Sequence, residues 1–302
     1  MSMSIEIFGF RALWSPLFFL FVLLILSGYF MITIKYRGTF KNSEPLTKRQ
    51  GVYFTIGMVV LYLIKGSPID LMGHLMFYAH MTQMAILYLV VPPLVILGIP
   101  QWIWRVLINY KWIKPFFNFL TKPLIALILF NGVFSIYHIP DVFDIVKTDM
   151  MFHTVYTSIL FLLALFMWWP ILNELPEMDT LGGLRKVGYV FANGVLLTPA
   201  CALIIFADTP MYNTYSDPNA WAQALQLCVP SATLASLNLS GPEMFNSMSL
   251  IHDQQLGGVI MKIIQEIVYG FVLAQIFFAW YKKEQEPSAI EKEHMLNPQL
   301  IK

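Results

Sequence analysis

Five of the six histidines in this 302-residue chain lie in apolar segments or at their edges. They are His74, His80, His138, His153 and His252. Neutral imidazole is a common ligand of transition metals and of haem iron, so several imidazoles at one depth of a helical bundle could hold a metal ion or a haem. A single histidine in such a segment is more often a packing or hydrogen-bonding residue, and it is the joint placement that indicates a site.

Methionines add soft sulfur donors beside one of these histidines. Met76, His80 and Met84 are spaced four residues apart, so on a continuous helix they share one stripe, and Gln83 lies close to it. Imidazole and thioether are donors that select Cu(I). Methionine is also a common filler of hydrophobic cores, so the stripe fits either a ligand set or ordinary packing. His74 precedes His80 by about 9 Å along a helix and is not assigned to the same site.

The next two histidines stand where one apolar run ends and another begins. His138 closes the run that starts at Pro123, and His153 opens the following run, with Met150 and Met151 just before it. Both histidines are candidate metal ligands and Met151 is a candidate supplementary donor. Each histidine could equally form an ordinary hydrogen bond at the membrane interface.

The fourth candidate ligand, His252, lies in a polar segment before the last apolar run. Asp253 and Gln254 follow it and could orient a ligand histidine from a second shell, as Gln83 could near His80. The glycine pair 257–258 permits a tight entry turn or a close helix approach. The alternative is a polar helix cap before an ordinary span.

The composition indicates an integral membrane protein. The chain is 57% hydrophobic and 12% charged, whereas soluble domains are about 25% charged. Several apolar runs approach the ~20 residues that a helix needs to cross a bilayer. The net charge of +1 gives no indication of nucleic-acid binding. Cys201 and Cys228 are isolated, which argues against a thiol-based redox or metal carrier.

The predicted fold is an all-α bundle of seven transmembrane helices that forms a single domain over 1–281. A kink is expected at Pro92-Pro93 in the third span. The predicted spans are 17–34, 51–68, 71–99, 123–138, 150–169, 187–206 and 258–281.

The basic residues set the predicted orientation. The loops after the first, third and fifth spans and the tail after the seventh hold 15 of the 19 lysines and arginines. Positively charged loops remain in the cytoplasm, so the N-terminus is expected outside and the C-terminus inside. All the candidate histidine ligands then lie at the outer ends of their spans.

Two regions outside the spans also carry expectations. Residues 208–255 are predicted to form an outer flap or interfacial helix; the alternative is an eighth span over 222–238, which Pro230 disfavours. Residues 282–302, which include His294, are predicted to be a disordered cytoplasmic tail. The segment 101–117 mixes aromatic and basic residues, a composition typical of an anchor at headgroup level.

Two charged residues lie inside the last predicted span. Lys262 and Glu266 are spaced four residues apart, so they are expected to form a structural pair within the membrane. The sequence contains no nucleophile elbow, zinc-protease motif or phosphate loop, and the chain is not expected to be an enzyme.

Several motifs in one order resemble a known family. They are Pro92-Pro93 followed by Gly98-Ile99-Pro100, then Tyr137-His138-Ile139-Pro140, Trp168-Trp169-Pro170, and Asp253-Gln254-Gln255 with Gly257-Gly258. Together they resemble CtaG of Bacillus-type bacteria, a family needed to assemble caa-type cytochrome c oxidase. The resemblance implies a multi-pass assembly factor of the bacterial plasma membrane with oxidase subunits as partners.

The resemblance also bears on the candidate ligands. His138, His153, His252 and Asp253 match the family and carry over as candidate metal-site residues. Family members often have a second histidine four residues after the position of His80, where this chain has Met84. Methionine can replace histidine as a Cu(I) ligand, so this difference weakens a haem site more than a copper site.

These observations favour a non-enzymatic assembly factor that binds or delivers copper on the outer side of the membrane. Two alternatives remain open. One is a haem-binding electron carrier or oxidoreductase subunit, which would need two histidines on either face of a porphyrin. The other is a permease for a metal or a small solute, which the apolar inner half of the bundle disfavours.

Overall fold

A computed structural model describes residues 4–237 and 239–285, which are helical and without strands. The α-helices are α1 (Phe10–Trp14), α2 (Pro16–Phe30), α3 (Lys48–Gly66), α4 (Pro68–Leu75), α5 (Phe77–Leu89), α6 (Val91–Gly98), α7 (Gln101–Ile108), α8 (Ile113–Leu120), α9 (Pro123–Tyr137), α10 (Pro140–Thr148), α11 (Met150–Leu172), α12 (Gly183–Ile205), α13 (Pro218–Leu225), α14 (Ser231–Ser236) and α15 (Leu250–Gln285).

The helices fit a membrane protein. Within the described residues, five segments are long and apolar enough to cross a bilayer. They are Phe10–Lys35, Phe77–Gly98, Met150–Leu172, Gly183–Ile205 and Leu250–Lys282. The number rises to seven if two bent pairs each count as one span, α3 with α4 (bent by 45°) and α8 with α9 (bent by 80°). The count thus lies between five and seven, and the predicted orientation stays a prediction.

The boundary between the second and third predicted spans differs from the expectation. We expected the third span to begin near Leu71, but residues 68–75 form the separate helix α4. The Ser67 side chain accepts a hydrogen bond from the backbone of Ile69, and Pro68 begins α4. Because Pro lacks an N–H and favours the first helical turn, it ends α3 and starts a new helix in a new direction.

The proline pair in the third span interrupts the helix as expected. Helix α5 ends at Leu89 and α6 begins at Val91, so the interruption lies at Val90, just before Pro92. The prolines cannot donate hydrogen bonds to the preceding turn.

The last helix begins earlier than the sequence predicted. Helix α15 starts at Leu250 rather than at Gly258 and includes residues 250–255 of the predicted flap. The glycine pair lies inside the helix and allows close approach of its neighbours. A Cβ at Gly257 would lie 2.7 Å from the Phe77 ring, and one at Gly258 would lie 2.7 Å from Ile205.

The flap consists of short pieces packed on the bundle. Helices α13 and α14 have eight and six residues and are separated at Pro230, too short for the eighth span considered above. The fully buried Trp221 of α13 packs in one cluster with Phe8, Leu71 and Leu75. This cluster attaches the flap to α4, the helix that carries His74.

The predicted tail is partly helical at its beginning. Residues 282–285 form the last turn of α15. Residues 286–302, which include His294, lie outside the described residues.

We predict that Gly98→Ala destabilises the protein because the new Cβ would lie 2.6 Å from the backbone nitrogen of Phe54, which cannot move aside. Overpacking of this kind costs about 1–3 kcal/mol. The matched control is Gly132→Ala in α9, where no atom lies within 4 Å of the new Cβ. Since alanine favours a helix by up to about 1 kcal/mol over glycine, this control should be neutral or stabilising. Thermal unfolding in detergent measures both, and equal midpoints would contradict the packing.

Candidate functional site

Three of the four predicted histidine ligands, together with His74 and one lysine, gather where α4, α5, α9, α10 and α11 meet. We call these residues the histidine cluster; it consists of His74, His80, His138, His153 and Lys147. Each comes from a different helix or helix end, so the cluster depends on the packing of the bundle rather than on one sequence motif.

The imidazole rings of His74 and His153 are in contact. Their ring centres are 5.8 Å apart and their planes meet at 60°. His74 is 3% exposed. The Nδ1 atom of His153 is buried and has no hydrogen-bond partner. Sequence analysis missed this pair because it placed His74 and His80 on one helix; the break at Met76 gives His74 a helix of its own.

Lys147 is buried beside His74. Its side chain is 1% exposed, its Nζ donates to the Gly73 carbonyl at 3.2 Å, and the same Nζ lies 3.4 Å from Nδ1 of His74. Among the described residues, Lys147 forms no ion pair with a carboxylate. The sequence offers no reason to assign Lys147 to the site. Lys147 lies on the short amphipathic helix α10. The sequence does not show whether its side chain faces the bundle or the outside.

An aromatic ring closes the other side of Lys147. Nζ lies 5.7 Å from the ring centre of Tyr215, whose hydroxyl donates to Gly73 at 2.5 Å. The Asp144 carboxylate accepts hydrogen bonds from the backbone of Asn213 and Thr214 and so fixes the turn that carries Tyr215. The lysine is thus enclosed by a carbonyl, an imidazole and an aromatic face.

His80 and His138 lie deeper among aromatic rings. His80 Nε2 lies 3.5 Å from the Tyr137 hydroxyl, and Nδ1 is buried without a partner. Nδ1 of His138 lies 2.8 Å from the Phe134 carbonyl, which requires an N–H at this position and leaves Nε2 unprotonated. That Nε2 is buried without a partner. The rings of Tyr137 and Phe143 each contact both imidazoles and lie between them.

Three imidazole nitrogens in the cluster are therefore buried and unpaired. They are His80 Nδ1, His138 Nε2 and His153 Nδ1. A buried polar atom without a partner costs free energy, and an ordered water, an ion or a bound ligand can satisfy it. Within residues 4–237 and 239–285, however, no three His, Cys, Asp or Glu side chains come together as a ready-made metal site. The geometry offers a pair of imidazoles with further donors nearby.

The predicted methionine stripe is broken. Met76 has an extended backbone before α5 begins, and its side chain packs with Leu71 and Leu75 in the cluster under the flap. Met84 packs in the separate central core. Met151 is 66% exposed. His80 and Met84 share one stripe of α5 as expected, but Met76 precedes the helix and does not continue that stripe.

The polar residues that follow His252 form hydrogen bonds with the backbone of other segments. His252 is exposed. The Asp253 carboxylate accepts hydrogen bonds from the backbone nitrogens of Phe77 at 2.9 Å and Tyr78 at 3.0 Å, so it caps the N-terminus of α5. Gln254 accepts a hydrogen bond from the Met211 backbone at 2.8 Å. Among the residues that the structure describes, neither side chain forms a hydrogen bond with His252.

Gln83 also has structural partners. Its amide donates to Asp70 at 2.6 Å and to the Ile64 carbonyl at 2.8 Å, and Asp70 pairs with Lys65 at 2.7 Å. These bonds hold the bend between α3 and α4. A Cβ at Gly73 would lie 2.9 Å from the Gln83 oxygen, so α4 approaches α5 closely here.

The charged residues of the last helix lie apart from the cluster. Lys262 and Glu266 form an ion pair of 2.7 Å, and Lys262 also donates to Thr198 at 3.0 Å. The ion pair lies within α15, and the hydrogen bond to Thr198 joins α15 to α12.

The comparisons with known proteins give one match. The model of the family described as cytochrome c oxidase caa3 assembly factor (Caa3_CtaG) matches residues 27–283. No curated protein and no solved structure matches the chain. The matched segment contains all five residues of the histidine cluster.

The burial of Lys147 predicts a pH-dependent stability. Burial, with a smaller contribution from the charge of Lys65, lowers the pKa of Lys147 from 10.5 to about 7. Between these values the unfolded chain holds a proton that the folded protein lacks, so the free energy of unfolding should rise with pH above 7, by up to about 3 kcal/mol at pH 9. Thermal unfolding from pH 7 to pH 9 should show a steeper rise in the native protein than in Lys147→Met. Parallel pH profiles would contradict the buried, neutral lysine.

Proposed function

Because the chain belongs to the family of caa3 cytochrome c oxidase assembly factors, we propose that it helps to form the active oxidase by holding a Cu(I) ion at the histidine cluster. The role is non-catalytic: the protein receives the ion and passes it to, or positions it for, a subunit of the oxidase. The site of action is the bacterial plasma membrane, in agreement with the five to seven apolar helices.

The spacing of His74 and His153 is the observation that supports a metal site most directly. Two imidazoles that share one ion have ring centres about 6 Å apart, because each metal–nitrogen bond is about 2.0–2.1 Å long and each nitrogen lies about 1.1 Å from the centre of its ring. The observed separation is 5.8 Å. The two rings belong to α4 and α11, so packed helices fix the spacing.

Lys147 suits His74 for this role in its neutral form. A neutral amine can accept a hydrogen bond from Nδ1–H of His74 while it donates to the Gly73 carbonyl, and both contacts are present. Nε2 of His74 is then free of its proton and can bind an ion. Metal-bound histidines usually have their second nitrogen held in this way. Lys147 would thus replace Asp253 and Gln254 as the residue that orients a ligand.

The number of donors favours Cu(I) over Zn(II). A structural zinc site needs four protein ligands, and no three candidate side chains come together within the described residues. Cu(I) carries a single charge and needs fewer donors than Zn(II), and ring centres 5.8 Å apart fit two imidazoles in a bent arrangement around one ion. His80 and His138 offer their unpaired nitrogens as further donors to an ion that moves deeper into the cluster.

The predicted orientation gives a direction for delivery. The histidine cluster lies at the end of the bundle opposite the basic loops, so under the positive-inside rule it faces the outer side. Copper would then enter and leave from that side. His252 is exposed at the start of α15 and could meet an ion or a partner before the cluster does.

The structure supports the two alternatives less well. A haem would need a slot as wide as its macrocycle between two histidines, but Lys147 and Tyr215 fill the space beside His74. A permease would need a path through the bundle, whose centre is filled by the fully buried Tyr88, Phe130 and Trp168. We therefore place copper handling first.

We predict that the purified protein binds one Cu(I) ion and that His74→Ala with His153→Ala removes it. Loss of the ligands should weaken binding by more than the about 10–100-fold that loss of an orienting residue costs. Competition against a chromogenic Cu(I) chelator in detergent measures the affinity. The matched control is His252→Ala, which removes an exposed imidazole outside the cluster and should bind copper like the native protein.

A cellular measurement separates copper binding from the family role. In cells that lack the chromosomal copy, the double variant should restore much less active oxidase than the native protein. Undiminished copper in the double variant would refute the ligand assignment. Full oxidase activity despite lost copper binding would refute copper handling and leave only the assembly role.

A further inference from the structure

A groove rich in donors lies at the other end of the bundle from the histidine cluster. It is formed by the loop before α3 and by α7. Helices α5 and α6 run from Phe77 to Gly98 before α7 begins, so at 1.5 Å per residue the groove lies about 30 Å from His80. The groove is thus a separate site from the histidine cluster.

The lining of the groove is cationic and polar. A cavity of about 500 Å³ is bordered by Lys41, Asn42, Trp102, Arg105, Val106 and Asn109. It offers an ammonium, a guanidinium and two carboxamides, all of which can donate hydrogen bonds to phosphate oxygens. The six lining residues include no carboxylate.

Local contacts hold the two walls together. Phe40 packs on Trp102 with ring centres 5.0 Å apart, which attaches the loop to α7. Within the loop, Arg37 donates to the Ser43 carbonyl and the Ser43 hydroxyl donates back to the Arg37 carbonyl. These contacts fix the turn that carries Lys41 and therefore preform the groove.

Arg105 is oriented by one carboxylate outside the lining. Its Nε and Nη2 contact Glu177 at 2.7 and 3.4 Å, so Nη1 takes no part in this ion pair. Lys41 forms no ion pair among the described residues. Lys114 adds a further cation beside the lining, since its Nζ donates to the Asn109 side chain at 3.1 Å. The groove thus presents Lys41, Arg105 and Lys114 to an anionic ligand.

The neighbouring aromatic side chains place the groove at headgroup depth. The connection between α6 and α9, residues 99–122, carries further aromatic side chains. Its residues Tyr110, Trp112 and Phe116 are exposed, Trp112 by 71%. Exposed tyrosine and tryptophan beside lysines are typical of the interface between acyl chains and water. The apolar wall formed by Trp102 and Val106 can cover the glycerol part of a lipid.

We propose that this groove binds the phosphodiester headgroup of an anionic phospholipid. Lys41 and Arg105 contact the phosphate oxygens, the amides of Asn42 and Asn109 donate further hydrogen bonds, and the acyl chains extend along the exposed aromatic side chains. Bound lipid would fix the loop before α3 against α7 and so stabilise that end of the bundle.

The test is binding of phosphatidylglycerol and phosphatidylcholine to the detergent-solubilised full-length protein, measured by native mass spectrometry. Phosphatidylglycerol should bind more tightly than phosphatidylcholine. Each basic residue near a membrane surface contributes about 1 kcal/mol to anionic-lipid binding, so Lys41→Gln should weaken phosphatidylglycerol binding about 5-fold and Lys41→Gln with Arg105→Gln about 10–30-fold. The matched control, Lys111→Gln with Lys122→Gln, changes the same charge on the same connection outside the groove and should bind within 2-fold of the native protein.

A variant that should bind phosphatidylglycerol more tightly distinguishes loss of the site from loss of folding. Glu177→Gln removes the carboxylate that neutralises Arg105 and should tighten phosphatidylglycerol binding. Equal losses in the two double variants, weaker binding by Glu177→Gln, or no preference over phosphatidylcholine would overturn the site. Inorganic phosphate that displaces phosphatidylglycerol at millimolar concentration would overturn the lipid as occupant and assign the groove to free phosphate.

Discussion

Two hydrogen bonds to one carboxylate determine where the histidine cluster forms. The backbone nitrogens of Phe77 and Tyr78 donate to Asp253, which caps α5 from a distant helix. Because this cap starts α5 at Phe77, the preceding residues can form the separate helix α4. His74 is thereby placed opposite His153 instead of in line with His80. Asp253 thus helps to place the imidazoles of His74 and His153 next to each other through the start of α5.

The histidine cluster buries polar groups that lack a full set of hydrogen-bond or ionic partners. A lysine without a carboxylate partner and three unpaired imidazole nitrogens are buried at one end of the bundle. Burying such a group without a partner costs free energy. An ion that accepts electron pairs would relieve the cost at the imidazoles, and a neutral Lys147 would orient one of them. The groove at the other end offers the opposite chemistry, since its cations and amides suit an anion.

The sequence predicted the membrane class, the family and most of the residues in the cluster, because apolar runs and family motifs are local patterns. It could not predict the partner of His153, since the break at Met76 depends on Asp253, which lies 177 residues further along the chain. The same break removes Met76 from the predicted stripe, whereas His80 and Met84 stay together on α5. Lys147 escaped notice because a buried and an exposed lysine look alike in a sequence.

X-ray absorption at the copper edge of the Cu(I)-loaded protein tests the central claim most directly. The account predicts a first shell of two nitrogen donors at about 2 Å with the scattering pattern of imidazole rings and without sulfur. That pattern should disappear in the variant that lacks both His74 and His153. A first shell dominated by sulfur, or an unchanged imidazole pattern in that variant, would contradict the pairing of His74 with His153 around one ion.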